Sequence, residues 1–233
     1  MEQPEELRHV RRLVSSLRAR GGVGALSAEC LGEVPEVDGV VLSVLAAGAG
    51  EVMLSDSGPF ADQVEDQHSR SGQGPHLDAT ATGDVVLADD LRAPAARARW
   101  PLFAPEMSAA GVNSIFAFPV SIDGLPVGIL SLHRGAAGPL SAAGQARARR
   151  YSEAAAVLLG DQASGGAAGG VVLPVYAGEL QQAVGIIMEM GGVDAATALH
   201  RMRAYAQHSS RPMREVVAEV RTCRPPFDPT AAT

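Results

Sequence analysis

The chain contains no lysine: all 19 of its basic residues are arginine. With 26 glycines and heavy use of alanine, this points to a GC-rich coding bias of the bacterial kind. An arginine here is therefore weak evidence of a choice against lysine. Aromatic residues make up only 4%. The two cysteines, Cys30 and Cys223, lie far apart in sequence. A disulfide framework or zinc site is not supported, and free thiols in a reducing compartment are expected. No run approaches the roughly 18 apolar residues a membrane helix needs. The opening "MEQPEELRHVRRLVSSLRAR" has no apolar signal core, so a cytoplasmic protein with no membrane partner is expected. No G-x-S-x-G, H-E-x-x-H, C-x-x-C or G-x-G-x-x-G occurs, and none of the six histidines stands at metal-ligand spacing from another His or Cys. These absences argue against an enzyme, a metal and a cofactor.

What is present fits one medium domain plus a small one: 233 residues, 46% of them apolar. The net charge of −7 is uneven. Residues 1–170 hold 13 arginines against 20 acids, whereas residues 171–224 hold 6 against 5. An acidic surface repels nucleic acid, so any polyanion contact belongs to the second part. The seam is "GDQASGGAAGG" (160–170), whose Gly, Ala and Ser read as a linker. The expected organisation is a domain over 1–159, a linker over 160–170, a small domain over 171–224 and a disordered tail over 225–233.

The first domain alternates helices with strands. Leu7, Val10, Val14 and Leu17 form a short seam on one helix, serving either its own core or a dimer contact. "DGVVLSVLAA" and "EVMLSD" read as a hairpin, 59–70 as helical, and 84–89 as a short strand. Residues 95–110 read as a helix. "NSIFAFPVSI", Asp123-Gly124 and "LPVGILSLHR" give a second hairpin, because Asp-Gly supplies the positive φ angles of a tight turn. Ser141 caps a helix to about Leu159. The pattern predicts an α+β fold, an antiparallel sheet with packed helices. "SGQGPHLDA" (71–79) lacks a P-loop ending and reads as a tight turn, with His76 and Asp78 pointing the same way in an extended segment. His133 ends a strand and reads as packed or solvated. An apolar ligand pocket beside the sheet would draw on His76, Trp100, Phe103 and Phe116.

The second domain is wholly helical. Leu180, Ala183, Val184, Ile187 and Met188 form one stripe, ended by Gly191-Gly192. Asp194 caps a helix with the stripe Ala195, Ala198, Leu199, Met202 and Ala206. Ser209-Ser210 breaks the run, and Met213, Val216, Val217 and Val220 form a third stripe. Ile186 and Met190 lie off the first stripe and call for a contact beyond this core. The module's arginines face outward. Arg221 and Arg224 suit a helix C-terminus, but Arg211 and Arg214 bracket a helix N-terminus, where the dipole disfavours cations. That placement suits phosphate or base contact.

"LQQAVGIIMEMGGVDAATALHRMRAYAQHSSRPMREVVAEV" resembles the ANTAR domain, a three-helix RNA-binding module of bacterial antitermination regulators. Gln182-Ala183-Val184-Gly185-Ile186-Ile187-Met188 carries the first element. Ala198 to Met202 with Ala206-Gln207 carries the second, and Ser209, Arg211, Arg214, Glu215 and Val216 the third. Val184, Ser210, Pro212 and Val217 depart from the usual pattern. In the first domain "DGVVLSV", "GQGPHLDA", "RWPLFA", "GVNSIFAFPV" and "LPVGILSLHR" resemble the GAF sensory domain joined to ANTAR in actinobacteria, with His76 where that type often has Cys. The resemblance implies a homodimeric antitermination regulator. Its GAF domain would sense a small molecule or protein signal, and its ANTAR module would bind paired RNA hairpin loops. Gln182, Gly185, Arg201, Tyr205, Ser209, Arg211 and Arg214 are the expected RNA contacts. The alternative is a ligand-binding homodimer whose C-terminal helices meet a partner protein.

Overall fold

The structure, a computed structural model, describes residues 3–46, 50–122, 124–164, 175–209 and 213–222. Part of the expected linker (165–170), the tail 225–233 and the positions Asp123, Ser210, Arg211, Pro212, Cys223 and Arg224 lie outside them. The chain opens with two helices, α1 (Gln3–Arg20) and α2 (Val23–Glu33), and a hairpin, β1 (Gly39–Ala46) and β2 (Gly50–Ser57). Helices α3 (Ala61–Ser71) and α4 (Pro75–Thr82), strand β3 (Val86–Ala88), and helices α5 (Pro94–Arg99) and α6 (Phe103–Ala109) follow. A second hairpin, β4 (Ser114–Ile122) and β5 (Leu125–Arg134), leads into the long α7 (Ala142–Ser164). The last three helices are α8 (Val175–Gly191), α9 (Ala195–His208) and α10 (Met213–Arg221).

The strands form one antiparallel sheet in the order β2-β1-β5-β4-β3. Its register sets the core. Leu42 pairs with Leu130, which pairs with Phe118; Val40 pairs with Leu132, which pairs with Phe116. These rows share one face, because side chains alternate along a strand. They pack against Val10, Val14 and Leu17 of α1, Leu26 and Cys30 of α2, and Ala148, Tyr151, Ala155 and Leu159 of α7. The alternate residues Ile115, Ala117 and Ile129 pack with Val64, Ala79, Trp100, Phe103 and Met107 from α3, α4 and α6 and the α5–α6 corner. Helices thus cover both faces, the expected α+β layer fold in three layers. Val10, Val14 and Leu17 turn into this core while Leu7 stays exposed, so most of the α1 seam serves its own domain. Cys30 is a buried free thiol, and burial, helped by Glu33, pushes it up to about 12. It stays a thiol at neutral pH.

Four details depart from the sequence reading. Helix α2, which buries Val23, Leu26, Ser27 and Cys30, fills a stretch for which the sequence reading gives no element, although its Ala, Leu and Glu residues favour helix. The "tight turn" at 71–79 holds α4, whose Pro75 stands in the first turn where its missing N–H costs nothing. His76 and Asp78 therefore do not share a face: His76 is buried, while Asp78 accepts hydrogen bonds from Arg99 and Trp100. The helix expected over 95–110 is two, split where Trp100 precedes Pro101, since proline drives the preceding residue out of helical geometry. Ser141 caps α7 as expected, accepting a hydrogen bond from the Gly144 N–H at 3.0 Å. The helix then runs past Leu159 to Ser164. Gln162 and Ala163 favour helix in this last turn, and the Arg18–Asp161 ion pair ties it to α1.

The last three helices close a separate core of Ala183, Val184, Ile187, Ala198, Met202, Val216, Val217 and Val220. Asp194 caps α9 by accepting from the Thr197 N–H at 2.7 Å. Met188, expected on the stripe, is 36% exposed, and Ile186, expected off it, packs against the cluster. Two partner helices flank α8, so the buried arc is displaced to one side of the stripe. Helix α9 borders α4, and α8 borders β1 and β5.

Phe118 is fully buried, whereas Leu87 on the edge strand β3 is 38% exposed. Phe118→Ala is expected to destabilise the first domain by about 3–5 kcal/mol. Leu87→Ala should fall within about 0.5 kcal/mol of the parent. Urea titration of the two variants checks the contrast.

Candidate functional site

Two regions hold the side chains singled out from the sequence. The first is the surface of the three-helix module. Gln182 and Gly185 lie one turn apart on the exposed side of α8. The Gln182 Oε1 atom accepts from Arg221 Nε at 3.0 Å, which ties the first helix to the end of the third. Arg201 is half-buried on α9. Tyr205 is also half-buried and packs against the module's core, so its ring has a structural task besides any contact. Ser209 ends α9: its hydroxyl and its N–H both donate to the Tyr205 carbonyl, at 2.6 and 2.9 Å. Arg214 falls in the first turn of α10, and Arg211 lies outside the described residues.

Gly185 is informative because none of the described residues demands it. A Cβ placed there meets no atom of the described residues within 4 Å. Glycine inside a helix costs about 0.5–1 kcal/mol relative to alanine. The chain carries that cost at an exposed site where its own packing gains nothing from it.

The second region is the inner face of the sheet, under α3, α4 and α6. His76, Trp100 and Phe103 are buried there together, as the sequence suggested. Phe116 is not with them. Strand alternation turns it to the opposite face, into the core with α1 and α7. The structure instead adds polar residues that the sequence reading passed over. His68 of α3 stacks on His76 with ring centroids 3.6 Å apart and planes 6° from parallel, and Phe103 lies 4.2 Å from His68. The His68 Nδ1 lies 2.8 Å from the Val64 carbonyl, which only accepts, so Nδ1 carries the proton. Its Nε2 then accepts from the His76 N–H at 3.4 Å. Both ring nitrogens are used and the ring is neutral. Burial, and then His76, hold His68 well below the ordinary value.

His133 of β5 donates from Nε2 to the Pro59 carbonyl at 2.6 Å, and burial lowers its pKa. Two glycines make room for these rings. A Cβ at Gly39 would collide with the His133 ring, and one at Gly74 (φ 127°) would stand 2.7 Å from the His68 ring. Ser43 and Ser131 lie on the same sheet face, both buried. A sequence signal was available. In "GILSLHR", Ser131 and His133 alternate with apolar residues on the face that carries Ile129, which places polar groups at core positions.

Elsewhere, a cleft of about 320 Å³ lies between α1, α2 and α7, with Arg20, Glu29, Glu33, Arg147, Arg150 and Tyr151 among its walls. Its charges are partly answered within the chain, through Arg20–Glu29 at 3.3 Å and Arg150–Glu6 at 3.6 Å. No group of His, Cys, Asp and Glu fit to hold a metal, and no helix long and apolar enough to cross a membrane, occurs among the described residues.

Comparison with known proteins finds a likeness for each part. Residues 179–220 match the family model of the ANTAR domain, from the second turn of α8 to the last turn of α10. The rest of the chain shares its fold with the GAF domain of a phosphoenolpyruvate-protein phosphotransferase from Acinetobacter. That likeness has a TM-score of 0.53 and 14% identity, over 71% of this chain and 98% of that one. The GAF domain of a phosphoenolpyruvate-protein phosphotransferase from Coxiella burnetii is similar, at a TM-score of 0.50 and 17% identity, over 70% and 97% of the two chains. Identities this low carry the fold alone. No protein of curated description matches the chain. The architecture is thus a GAF-type antiparallel sheet with packed helices, followed by an ANTAR module.

The buried histidines give a pH dependence with a definite sign. Their folded pKa values lie below the ordinary 6.5, so the unfolded chain binds protons more readily. Their contribution to stability is complete above about pH 6.5 and is lost as the pH falls below it, by up to about 1.4 kcal/mol per pH unit for each ring. The urea midpoint is expected to fall between pH 7.5 and 5.5, and His68→Leu should flatten that dependence.

Proposed function

We propose that the chain is a signal-responsive regulator that binds RNA through α8–α10 and reads a small-molecule or protein signal in its GAF-type domain, without catalysing a reaction. The observation that carries this reading is the ANTAR match over 179–220 on a folded three-helix core. Gly185 supports it from within the chain: an unneeded helical glycine on an exposed face suits the close approach of a nucleic-acid backbone. Gln182 and Gly185 on one face of α8, Arg201 and Tyr205 on α9, Ser209 just after it and Arg214 in the first turn of α10, with Arg211 between them in sequence, are the polar and guanidinium groups that splayed loop bases require. Family targets are paired hairpins, so two modules act together. Exposed Leu7 on α1 and Val157 on α7 are apolar groups for a second copy of the chain. In this reading the dimer holds two RNA loops and prevents a terminator from forming in the cytoplasm.

Met188 and Met190, 36% and 45% exposed at the end of α8, favour a second reading in which these helices meet a partner protein, since methionine adapts to apolar surfaces. Salt separates the two readings, because phosphate contacts weaken steeply as salt rises.

The test begins with RNA crosslinked to the protein in its host, sequenced and then titrated in gel shifts. Arg214→Ala should weaken binding while leaving the circular dichroism spectrum unchanged. Gly185→Ala should raise the stability of the module by about 0.5–1 kcal/mol and weaken RNA binding. A Gly185→Ala protein that is more stable and binds RNA as well as the parent would remove the close-approach argument. Affinity indifferent to salt would favour the partner protein.

A further inference from the structure

The cleft of about 320 Å³ among α1, α2 and α7 has walls of opposite sign. Its acids, Glu29 and Glu33, stand one turn apart on α2, and Arg147 and Arg150 stand about one turn apart on α7. The cleft keeps the two walls separate. Among the described residues no ion pair joins an α2 carboxylate to an α7 guanidinium, and Glu33 and Arg147 make no ion pair at all. Glu29 reaches Arg20 of α1 instead, and Arg150 reaches Glu6 of α1. Both contacts are weak, because Arg20 is 67% exposed and Glu6 55%, and such pairs stabilise by about 0–1 kcal/mol. They also leave Glu29 Oε1 and Arg150 Nε shielded from water without a hydrogen bond among the described residues.

Tyr151 of α7 forms the floor. It is 5% exposed, and its ring belongs to the core under α1 and α2. Burial, then Cys30, Glu33 and Glu29, raise its pKa well above the usual value. The phenol therefore stays a neutral O–H donor, and it has no hydrogen-bond partner among the described residues. Half-buried Leu13 of α1 adds an apolar wall. The chemistry of an occupant follows from these charges. Three arginines face two glutamates, and Glu6 makes the signs even. A pure anion or a pure cation meets repulsion on one wall for every attraction on the other. A small molecule with one charge of each sign at opposite ends answers both walls. Its carboxylate accepts from guanidinium N–H groups and from a phenol, and its ammonium donates to carboxylates.

We propose that this cleft binds a free α-amino acid with an uncharged side chain, its carboxylate held by Arg147, Arg150 and the Tyr151 hydroxyl, its ammonium by Glu29 and Glu33, and its side chain laid along Leu13. The site lies in the outer helical layer, on the far side of the sheet from α3 to α6. Helix α7 is the last element before the segment that leads to α8, so an occupant that bridges α2 and α7 acts on the helix nearest the module in sequence. The inference deepens the reading of the first domain as a sensor by naming its signal. It does not depend on RNA binding by α8–α10, which the gel shifts test separately.

Isothermal titration calorimetry of the full chain tests it, with glycine, L-leucine and L-glutamine as probes and with acetate and methylammonium as the two halves of the ligand. At least one amino acid should bind with a Kd of about 1 mM or tighter, and each half alone at least about tenfold more weakly. Glu33→Gln and Arg147→Gln remove one charge from opposite walls. Each should weaken amino-acid binding about tenfold or more and leave the Tm within about 2 °C of the parent. If one of the two fails to fold, the other decides. The proposal is overturned if none of the three amino acids binds, if acetate or methylammonium binds as tightly as the best of them, or if the affinity survives in the folded variants. Gel shifts repeated at saturating amino acid separate the site from the sensor reading. Binding that leaves RNA affinity unchanged keeps the site and removes its role as the signal.

Discussion

The structure depends on one constraint: its central sheet is apolar on both faces and must be covered twice. Antiparallel sheets commonly leave one face to water and show polar residues at alternate positions. Here β4 reads "SIFAFPVSI", and its first five residues are all buried. Phe116 and Phe118 serve one layer, while Ile115 and Ala117 serve the other. Helices are therefore needed above and below. The long α7 with α1 and α2 covers one face, and the shorter α3 to α6 cover the other.

The same constraint buries polar groups. Once α4 and α6 lie on the inner face, any hydroxyl or imidazole at an alternate position is cut off from water, whether or not it finds a partner. His68 finds two hydrogen bonds and a stacked neighbour. His133 finds one hydrogen bond. The demand is strict enough to fix glycine at 39 and 74, where a methyl group would strike a ring. Domains are stable by only about 5–15 kcal/mol, so unpaired polar atoms here are a material cost.

The C-terminal module obeys a different economy. Among the described residues its core is eight buried side chains, three of them Ala or Met, and the module is near the lower size limit for a domain that folds alone. Local devices matter more in so small a unit: Asp194 fixes the start of α9, and Gln182 joins α8 to α10. The module is also not isolated from the first domain. Helix α4 borders α9, and α8 borders β1 and β5. A change in the first domain therefore has a packed route to the module besides the connecting segment.

Periodicity and turn chemistry determined the outline of this protein. The Asp-Gly hairpin, the apolar and β-branched run of β1, and the three stripes ended by Gly191-Gly192 and the Ser209 break are local signals, set by neighbours within a few residues. They were legible because backbone geometry answers to such neighbours. The ANTAR residues were legible for the same reason, being a contiguous string. Tertiary contact decided the rest. Helix α2 has good helix formers in Ala25, Ala28, Glu29 and Leu31, and contact with the sheet decides which of its faces is buried. Phe116 left the expected pocket because its face depends on the register of β4 against β5. Ser43, Ser131 and His133 became neighbours only when two strands far apart in sequence paired. Which polar groups share a dry face is a property of strand pairing, and no short window of sequence contains it.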